Sequence, residues 1–190
     1  MKFLLFIFML LSANVHAEWL ATIDDFTLTT VDGEEFTLSE RSKSYVAIYI
    51  QGNGCPIARL SYPEYSRVRD QFADADIEFT MLNANIQDSP ERIIHEREEF
   101  GYQFDVLKDT QQQIAKQLGV ERTAEVFIVD TQTGQVKFRG PITDQLGYET
   151  QRFEITEHYL ADAVTTILSG GEVDHDSIPD SKGCLVGIFL

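Results

Sequence analysis

The sequence predicts an α/β protein with a mixed central sheet, helices on both faces of that sheet and an N-terminal β-hairpin. Apolar and polar residues alternate on both sides of Asp32-Gly33, which is a strong hairpin signal. Between residues 45 and 119, short apolar strands alternate with helical patterns, as in parallel strands joined by right-handed crossovers. A later hairpin adds antiparallel strands, so the predicted sheet is mixed.

Each element carries its own signal. "YVAIYI" (45–50) has little polarity and suits a central buried strand, and "IEFTMLNAN" (77–85) is a second one. Pro56 can begin a helix, and Pro63 should kink it. Ser89 is a good N-cap for a charged helix that ends at Gly101.

The second half of the chain is predicted in the same way. It contains a short extended segment at 104–109, a helix at 110–119, a β-hairpin whose strands are 125–130 and 135–140, and a final amphipathic helix at 154–169. Gly170-Gly171 ends this helix. An acidic tail follows, and it becomes apolar only around Cys184.

Residues 1–17 have the pattern of a secretory signal peptide. Lys2 precedes the apolar run 3–11, and Val15 and Ala17 place small residues before a cleavage site. A retained membrane anchor is the alternative, but the run is shorter than the ~20 residues that span a bilayer. We therefore expect cleavage after Ala17 and a periplasmic protein, with the extracellular space as second choice. The mature chain would be one domain (18–170) and a tail (171–190).

The composition excludes several partners. The formal net charge is −16, which repels nucleic acid and anionic lipid. We expect no nucleic-acid partner and no membrane insertion once the signal is removed. The sequence does not predict an oligomeric state.

The chain has two cysteines, Cys55 and Cys184. In a compartment where disulfides persist, they allow a single intramolecular bridge. Neither has a second cysteine or paired histidines at metal-ligand spacing, so no metal and no cofactor is expected.

Cys55 lies where a buried strand becomes a helix, within "QGNGCPIARL". The free N–H groups and the dipole of a helix N-terminus stabilise an anion, so a thiolate there is favoured. This position predicts an exposed, acidic, nucleophilic sulfur. The alternative is a small buried cysteine that only fills space.

The order of motifs resembles the thioredoxin superfamily. The motifs are the "DG" hairpin, the strand, Cys-Pro-x-x before a helix, and "FIVD-x-x-TG-x-V". Within the superfamily, "GCPIARL", "NANIQDS", "ERTAEVFIVD", "RGPITDQ" and the tail "GCL" are similar to a subgroup of peroxiredoxin-like and TlpA-like secreted redoxins. The resemblance covers roughly residues 22–187 and implies a thioredoxin-like fold and thiol-redox chemistry.

Three positions depart from the pattern of these families. Ala58 stands where a thioredoxin has its second cysteine, which excludes local dithiol exchange. Gly52 stands where a typical peroxiredoxin has threonine. Ala124 stands where the subgroup has proline, and a cis peptide without proline costs about 2.5–4 kcal/mol.

The resemblance also implies functional residues. Peroxiredoxins carry a catalytic arginine near the position of Arg122, and some carry a resolving cysteine near the C-terminus, here Cys184, that attacks an oxidised first thiol. We therefore predict a thiol oxidoreductase with Cys55 as nucleophile, Cys184 as resolving partner and Arg122 as a catalytic residue. Its substrate would be a peroxide or a protein disulfide. Arg122 could equally be a surface residue.

Other roles of the cysteines remain open. A static Cys55–Cys184 disulfide would stabilise the chain by roughly 4–5 kcal/mol. Cys184 could also form an intermolecular bond. In a non-catalytic binding or accessory module, Cys55 could contact a soft metal such as Cu(I) with an outside ligand.

Two polar stretches are secondary candidates for lining the Cys55 pocket. We expect them at the carboxyl edge of the sheet, where sites form, with loop capping as the alternative. They comprise Asn83, Asn85, Gln87 and Asp88, and then Asp144 and Gln145.

Overall fold

The structure is a computed structural model that describes residues 21–148 and 150–188. The predicted signal peptide lies outside these residues. The strands are β1 (Thr27–Thr29), β2 (Glu35–Thr37), β3 (Tyr45–Gln51), β4 (Ile77–Asn83), β5 (Val106–Lys108), β6 (Val126–Asp130) and β7 (Val136–Gly140). The helices are α1 (Pro56–Gln71), α2 (Pro90–Phe100), α3 (Gln113–Gln117) and α4 (Tyr159–Leu168).

The predicted mixed sheet is confirmed. Its five strands lie in the order β5-β4-β3-β6-β7, and the β1-β2 hairpin forms a separate two-stranded sheet. β3 is central: it pairs in parallel with β4 and antiparallel with β6. The carboxyl ends of β3 and β4 therefore meet at one edge, where Gln51 is opposite Asn83.

Alternate strand residues divide the core into two layers, as the period of two requires. Helices α1, α2 and α4 cover one face, with Ala47, Tyr49 and Ile128 pointing toward them. α3 and the hairpin cover the other face, which carries Ile48 and Val129. Helices on both faces are thus confirmed.

Two predicted helices begin later than expected. α3 begins at Gln113 rather than at 110, because Gln112 has a left-handed φ of 58°. The Asp109 carboxylate accepts hydrogen bonds from the first N–H groups of the helix, including that of Gln113 at 3.0 Å. α4 begins at Tyr159 rather than at 154. The Asp144 carboxylate binds the N–H groups of residues 156 and 157 and so holds that segment out of the helix.

The tail docks on the domain. The Thr123 N–H donates to the Cys184 carbonyl, and the Val186 N–H donates to the Glu121 carbonyl, both at 2.9 Å. Val186 is buried, whereas its neighbour Leu185 is 72% exposed. Gly183 permits this approach, since a Cβ there would lie 1.9 Å from the Thr123 carbonyl oxygen.

Within the described part of the chain, no helix has the length and apolar character needed to cross a bilayer.

Candidate active site

Cys55 occupies the predicted place, after β3 and directly before α1. It is the N-cap of α1, and Pro56 is the first helical residue. The chain turns sharply here: Gly54 has a φ of 79°, and the Cys55 N–H donates to the Gly52 carbonyl at 3.3 Å. Glycine adopts that φ at no steric cost, which explains Gly54.

Two buried carboxylates hold the loop before Cys55. Asp88 accepts from the Asn53 N–H at 3.1 Å, and Glu96 accepts from the Gly54 N–H at 2.8 Å. Both side chains have further partners. Asp88 also accepts from the amide of Asn83, and Glu96 pairs with Arg59 at 2.8 Å. Because these groups share one network, the backbone that presents Cys55 is held firmly.

This network revises the expectation for the polar stretch after β4. Asp88 and its neighbours brace the cysteine loop, and the N-cap of α2 is Ser89. Asn85 contributes its amide to Asp88 at 3.2 Å. Gln87 acts through its backbone, where its carbonyl accepts from Arg92.

Thr123 is the site residue that the sequence analysis missed. Its hydroxyl donates to the Cys55 sulfur at 3.0 Å and accepts from the Cys184 N–H at 3.0 Å. Thr123 is 1% exposed, so these bonds form away from water. One side chain therefore links the cysteine on α1 to the cysteine in the tail.

Gly52 makes room for Thr123. A Cβ at residue 52 would lie 2.5 Å from Cγ2 of Thr123 and 2.9 Å from Nδ2 of Asn85. The glycine that stands at the peroxiredoxin threonine position leaves the space that Thr123 occupies. Thr123, far along the chain, thus supplies a hydroxyl to the cysteine sulfur.

The structure brings the two cysteines together as free thiols. Burial raises the pKa of Cys55, but hydrogen bonding to Cys184 and Thr123 outweighs burial and lowers that pKa below its ordinary value. The N–H of Ala58, in the first turn of α1, lowers it further without forming a full capping hydrogen bond. Burial raises the pKa of Cys184 to about 11, together with its interaction with Cys55. Cys55 is thus the more acidic thiol of the pair.

The expectation that Cys55 is exposed was wrong. Its exposed fraction is 3%, whereas Cys184 is exposed. The physical reason is the docked tail, whose pairing with residues 121–123 places Cys184 beside the sulfur. Cys55 is nevertheless not a simple space-filling cysteine, because its sulfur accepts a hydrogen bond from Thr123.

Arg122 lies beside the tail. Its guanidinium donates to the Gly183 carbonyl at 3.3 Å and lies 5.6 Å from the centre of the Tyr148 ring. These contacts place Arg122 next to the segment that carries Cys184. Its predicted catalytic role at Cys55 stays a prediction.

Ala124 has a backbone that proline could not adopt. Its φ is 62°, and its N–H donates to the Ile50 carbonyl at 2.8 Å. Proline is restricted to a φ near −65° and has no N–H. The backbone conformation at residue 124 therefore accommodates alanine but not proline. The preceding residue, Thr123, directs its hydroxyl toward Cys55.

The two polar candidates before α4 have different places. Asp144 organises the 152–157 segment, as described above, and its pKa is lowered mainly by the Thr156 hydroxyl. Gln145 lines a small cleft with Ile57, Ala124 and Lys182. Gln145 thus lies on the side of the site next to α1, and Asp144 is structural.

Comparisons with known proteins show the family and the fold. The model of the AhpC/TSA family matches residues 21–139. A hypothetical protein from Sinorhizobium meliloti 1021 is similar in structure, with 26% identity, a TM-score of 0.75, and coverage of 88% of this chain and 93% of that one. An uncharacterised conserved protein from Geobacillus kaustophilus has 24% identity, a TM-score of 0.72, and coverage of 90% and 92%.

The pneumococcal exposed lipoprotein thioredoxin Etrx1 from Streptococcus pneumoniae is also similar. It has 20% identity and a TM-score of 0.58, with coverage of 77% of this chain and 99% of that one. No match was found among curated proteins.

The central mixed sheet, the helices on its two faces and the cysteine at the start of α1 define a redoxin with a thioredoxin-like fold. Since its model matches well over half of the chain, the protein belongs to the AhpC/TSA family.

Proposed function

We propose that this protein is a secreted thiol oxidoreductase of the periplasm whose redox couple is Cys55 and Cys184. The Thr123 hydroxyl carries the proposal, because it bonds both the Cys55 sulfur and the Cys184 N–H and so places the two cysteines at one site. Family membership supports thiol-redox chemistry in general. The location rests on the signal-peptide pattern of residues 1–17.

The site supports a two-electron cycle between a dithiol and an intramolecular disulfide. Cys55 is the internal nucleophile: its thiolate attacks a Cys184 sulfur that is already joined to an outside thiol. The Cys55–Cys184 bond forms, and the outside thiol leaves as a thiolate. Thr123 stabilises the attacking sulfur as an anion before the step and holds the tail in place during it.

A peroxide is the second candidate oxidant, because a small molecule can reach a buried sulfur more readily than a protein can. The Cys55 thiolate would attack one peroxide oxygen and become a sulfenic acid, while the other oxygen leaves as hydroxide or alkoxide. The Cys184 thiol would then attack the sulfenic acid, form the disulfide and release water.

A redox titration tests the proposed couple. We expect the Cys55–Cys184 disulfide to be reduced reversibly at a potential above about −300 mV, since stabilisation of the Cys55 thiolate favours the reduced protein. The measurement is thiol labelling and mass spectrometry across a series of glutathione or dithiothreitol buffers. A disulfide whose reduction potential is more negative than that value would instead indicate a structural bridge in a non-catalytic module.

Stopped-flow mixing of the reduced protein with hydrogen peroxide distinguishes the two oxidants. The Cys184→Ser variant, which keeps Cys55, is the matched control for the first step. A rate no faster than that of a free thiol at the same pH would exclude peroxide as the substrate and leave disulfide exchange.

A further inference from the structure

Four of the seven tyrosines lie together in the core layer that also contains Cys55. All four are at most 3% exposed, and they are Tyr49, Tyr62, Tyr65 and Tyr102. Phenylalanine would pack the same rings without a hydroxyl, and a hydroxyl taken out of water must find a partner or cost free energy. A cluster of four buried phenols beside a thiol therefore calls for a reason besides packing.

Three of these rings form a continuous path away from Cys55. Tyr49 comes first, since its hydroxyl donates to the Ala58 carbonyl in the first turn of α1 at 3.2 Å. Burial raises the pKa of Tyr49 well above its ordinary value, and the charge of the nearby Cys55 adds to that effect. The ring centre of Tyr62 lies 5.8 Å from that of Tyr49 and 4.3 Å from that of Tyr102. Rings at these separations are in contact, which favours electron transfer between them.

Tyr62 has the partner that oxidation of a phenol needs. Its hydroxyl donates to Oε1 of the Glu96 carboxylate at 3.3 Å, and both side chains are buried. The hydroxyl of Tyr65 donates instead to the carbonyls of Ala47 and Thr80, which do not take up a proton. A phenol that loses an electron becomes a strong acid, so a carboxylate within hydrogen-bond reach accepts its proton. Of these two tyrosines, Tyr62 is therefore the one on which a radical can rest.

We propose that Tyr49, Tyr62 and Glu96 return an electron to Cys55 when its sulfur has been oxidised to a thiyl radical, and that the radical then rests on Tyr62. This one-electron activity goes beyond the two-electron couple proposed above. It requires Cys55 but not Cys184, so either proposal can fail without the other.

The step balances in atoms and electrons. A one-electron oxidant of the peroxyl-radical class takes one electron from the Cys55 thiolate and becomes a peroxide anion, which leaves a thiyl radical. One electron then passes from Tyr62 through the ring of Tyr49 to the sulfur, which becomes a thiolate again. The phenolic proton of Tyr62 moves to Glu96. The products are the Cys55 thiolate, a neutral tyrosyl radical and a protonated carboxyl group.

Tyr102 connects this site to solvent. Its ring contacts that of Tyr62 and also lines an open cleft beside Arg97. A small ene-diol in the cleft can give one electron to the Tyr62 radical through the Tyr102 ring, while Glu96 returns the proton. The ene-diol leaves as its one-electron-oxidised radical. Cys55 is thus repaired without contact between the buried sulfur and the donor.

Electron paramagnetic resonance tests where the radical rests. In the reduced mature protein carrying Cys184→Ser, the Cys55 thiol is nitrosated, and light then splits the S–NO bond into a Cys55 thiyl radical and nitric oxide. We expect a tyrosyl spectrum to replace the thiyl spectrum, and ring-deuterated tyrosine should narrow it. A thiyl radical that persists with no tyrosyl spectrum would overturn the proposal and leave the two-electron couple untouched.

Two matched variants identify the tyrosine. Tyr62→Phe should lose most of the tyrosyl signal, because the ring remains but the hydroxyl beside Glu96 is gone. Tyr65→Phe is the control and should keep the signal, since its ring lies 5.0 Å from that of Tyr49 but its hydroxyl faces carbonyls. Circular dichroism of both variants checks that they fold. Equal signals in the two variants, or a loss in Tyr65→Phe alone, would contradict the assignment to Tyr62.

Kinetics in liquid solution test the proton acceptor and the exit. Without any tyrosine substitution, the tyrosyl radical should form more slowly in heavy water, because the Tyr62 proton moves to Glu96 as the electron leaves. Ascorbate, an ene-diol, should shorten the lifetime of the radical, and Tyr102→Phe should lose most of that effect. Equal rates in the two solvents would contradict the role of Glu96, and equal quenching in Tyr102→Phe would contradict the exit through Tyr102.

Discussion

The hydroxyl of Thr123 contacts both halves of the proposed couple. It donates to the Cys55 sulfur and accepts from the Cys184 N–H, each at 3.0 Å. A hydrogen bond to an ionised group contributes about 1.5–3 kcal/mol, more than one between neutral groups. The acidity of Cys55 thus depends on a side chain far from it in sequence, together with the first turn of α1.

Replacing this hydroxyl with a methyl group should weaken the thiolate. In reduced Thr123→Val we expect the pKa of Cys55 to rise. At a pH below the pKa of Cys55 in the parent protein, the ionised fraction of Cys55 should fall by about tenfold or more. Thiolate absorbance near 240 nm, followed against pH, measures the change. Thr123→Ser keeps the hydroxyl and should titrate close to the parent protein. An unchanged titration in Thr123→Val would show that the Thr123 bond does not stabilise the thiolate.

At the scale of elements, the tail acts as a short added strand. It pairs with residues 121–123, buries Val186 and closes the surface over Cys55. Gly183 is essential to this contact, because a Cβ there would lie 1.9 Å from the Thr123 carbonyl oxygen and 3.0 Å from its hydroxyl. Substituting Gly183 should therefore displace the tail while leaving the sheet intact.

Gly183→Ala tests the tail as a cover. We expect alkylation of Cys55 by iodoacetamide to accelerate by at least tenfold, with little loss of helix or sheet in the circular dichroism spectrum. Gly187→Ala is the matched control, since a Cβ at residue 187 meets no atom within 4 Å. If both variants are alkylated at the rate of the parent protein, the tail does not restrict access to Cys55.

On the scale of the whole molecule, the titration of Cys55 is linked to folding. Its pKa is lower in the folded than in the unfolded chain, so its contribution to stability is complete above the unfolded pKa and lost as pH falls through the folded one. Cys184 has a raised pKa and contributes in the opposite sense, with stability lost as pH rises toward about 11.

The reduced protein should therefore become more stable, relative to Cys55→Ser, as pH rises from the folded pKa of Cys55 to the ordinary cysteine value of 9.0. Urea unfolding at several pH values under reducing conditions measures this difference. The comparison with Cys55→Ser cancels the titration of groups that do not interact with Cys55. A flat difference would mean that Cys55 has the same acidity in both states.

Local patterns in the sequence predicted most of the fold because each is a short-range physical rule. Asp32-Gly33 lies at the turn of the β1-β2 hairpin, Ser89 caps α2, and Gly101 ends it with a left-handed φ of 67°. Predictions failed where distant groups competed for the backbone. The Asp144 carboxylate holds residues 156 and 157 out of α4, and periodicity does not register such a contact.

For the site, the sequence by itself determined the place of Cys55 at a strand–helix junction, since a buried strand, a glycine turn and Pro56 are all local signals. Only the tertiary structure decided that Thr123 and Cys184 would meet that sulfur, that Cys55 would be covered and that Cys184 would face solvent. These contacts join residues more than sixty positions apart. They depend on strand pairing and on the space left by Gly52 and Gly183, which are properties of packing rather than of any one segment.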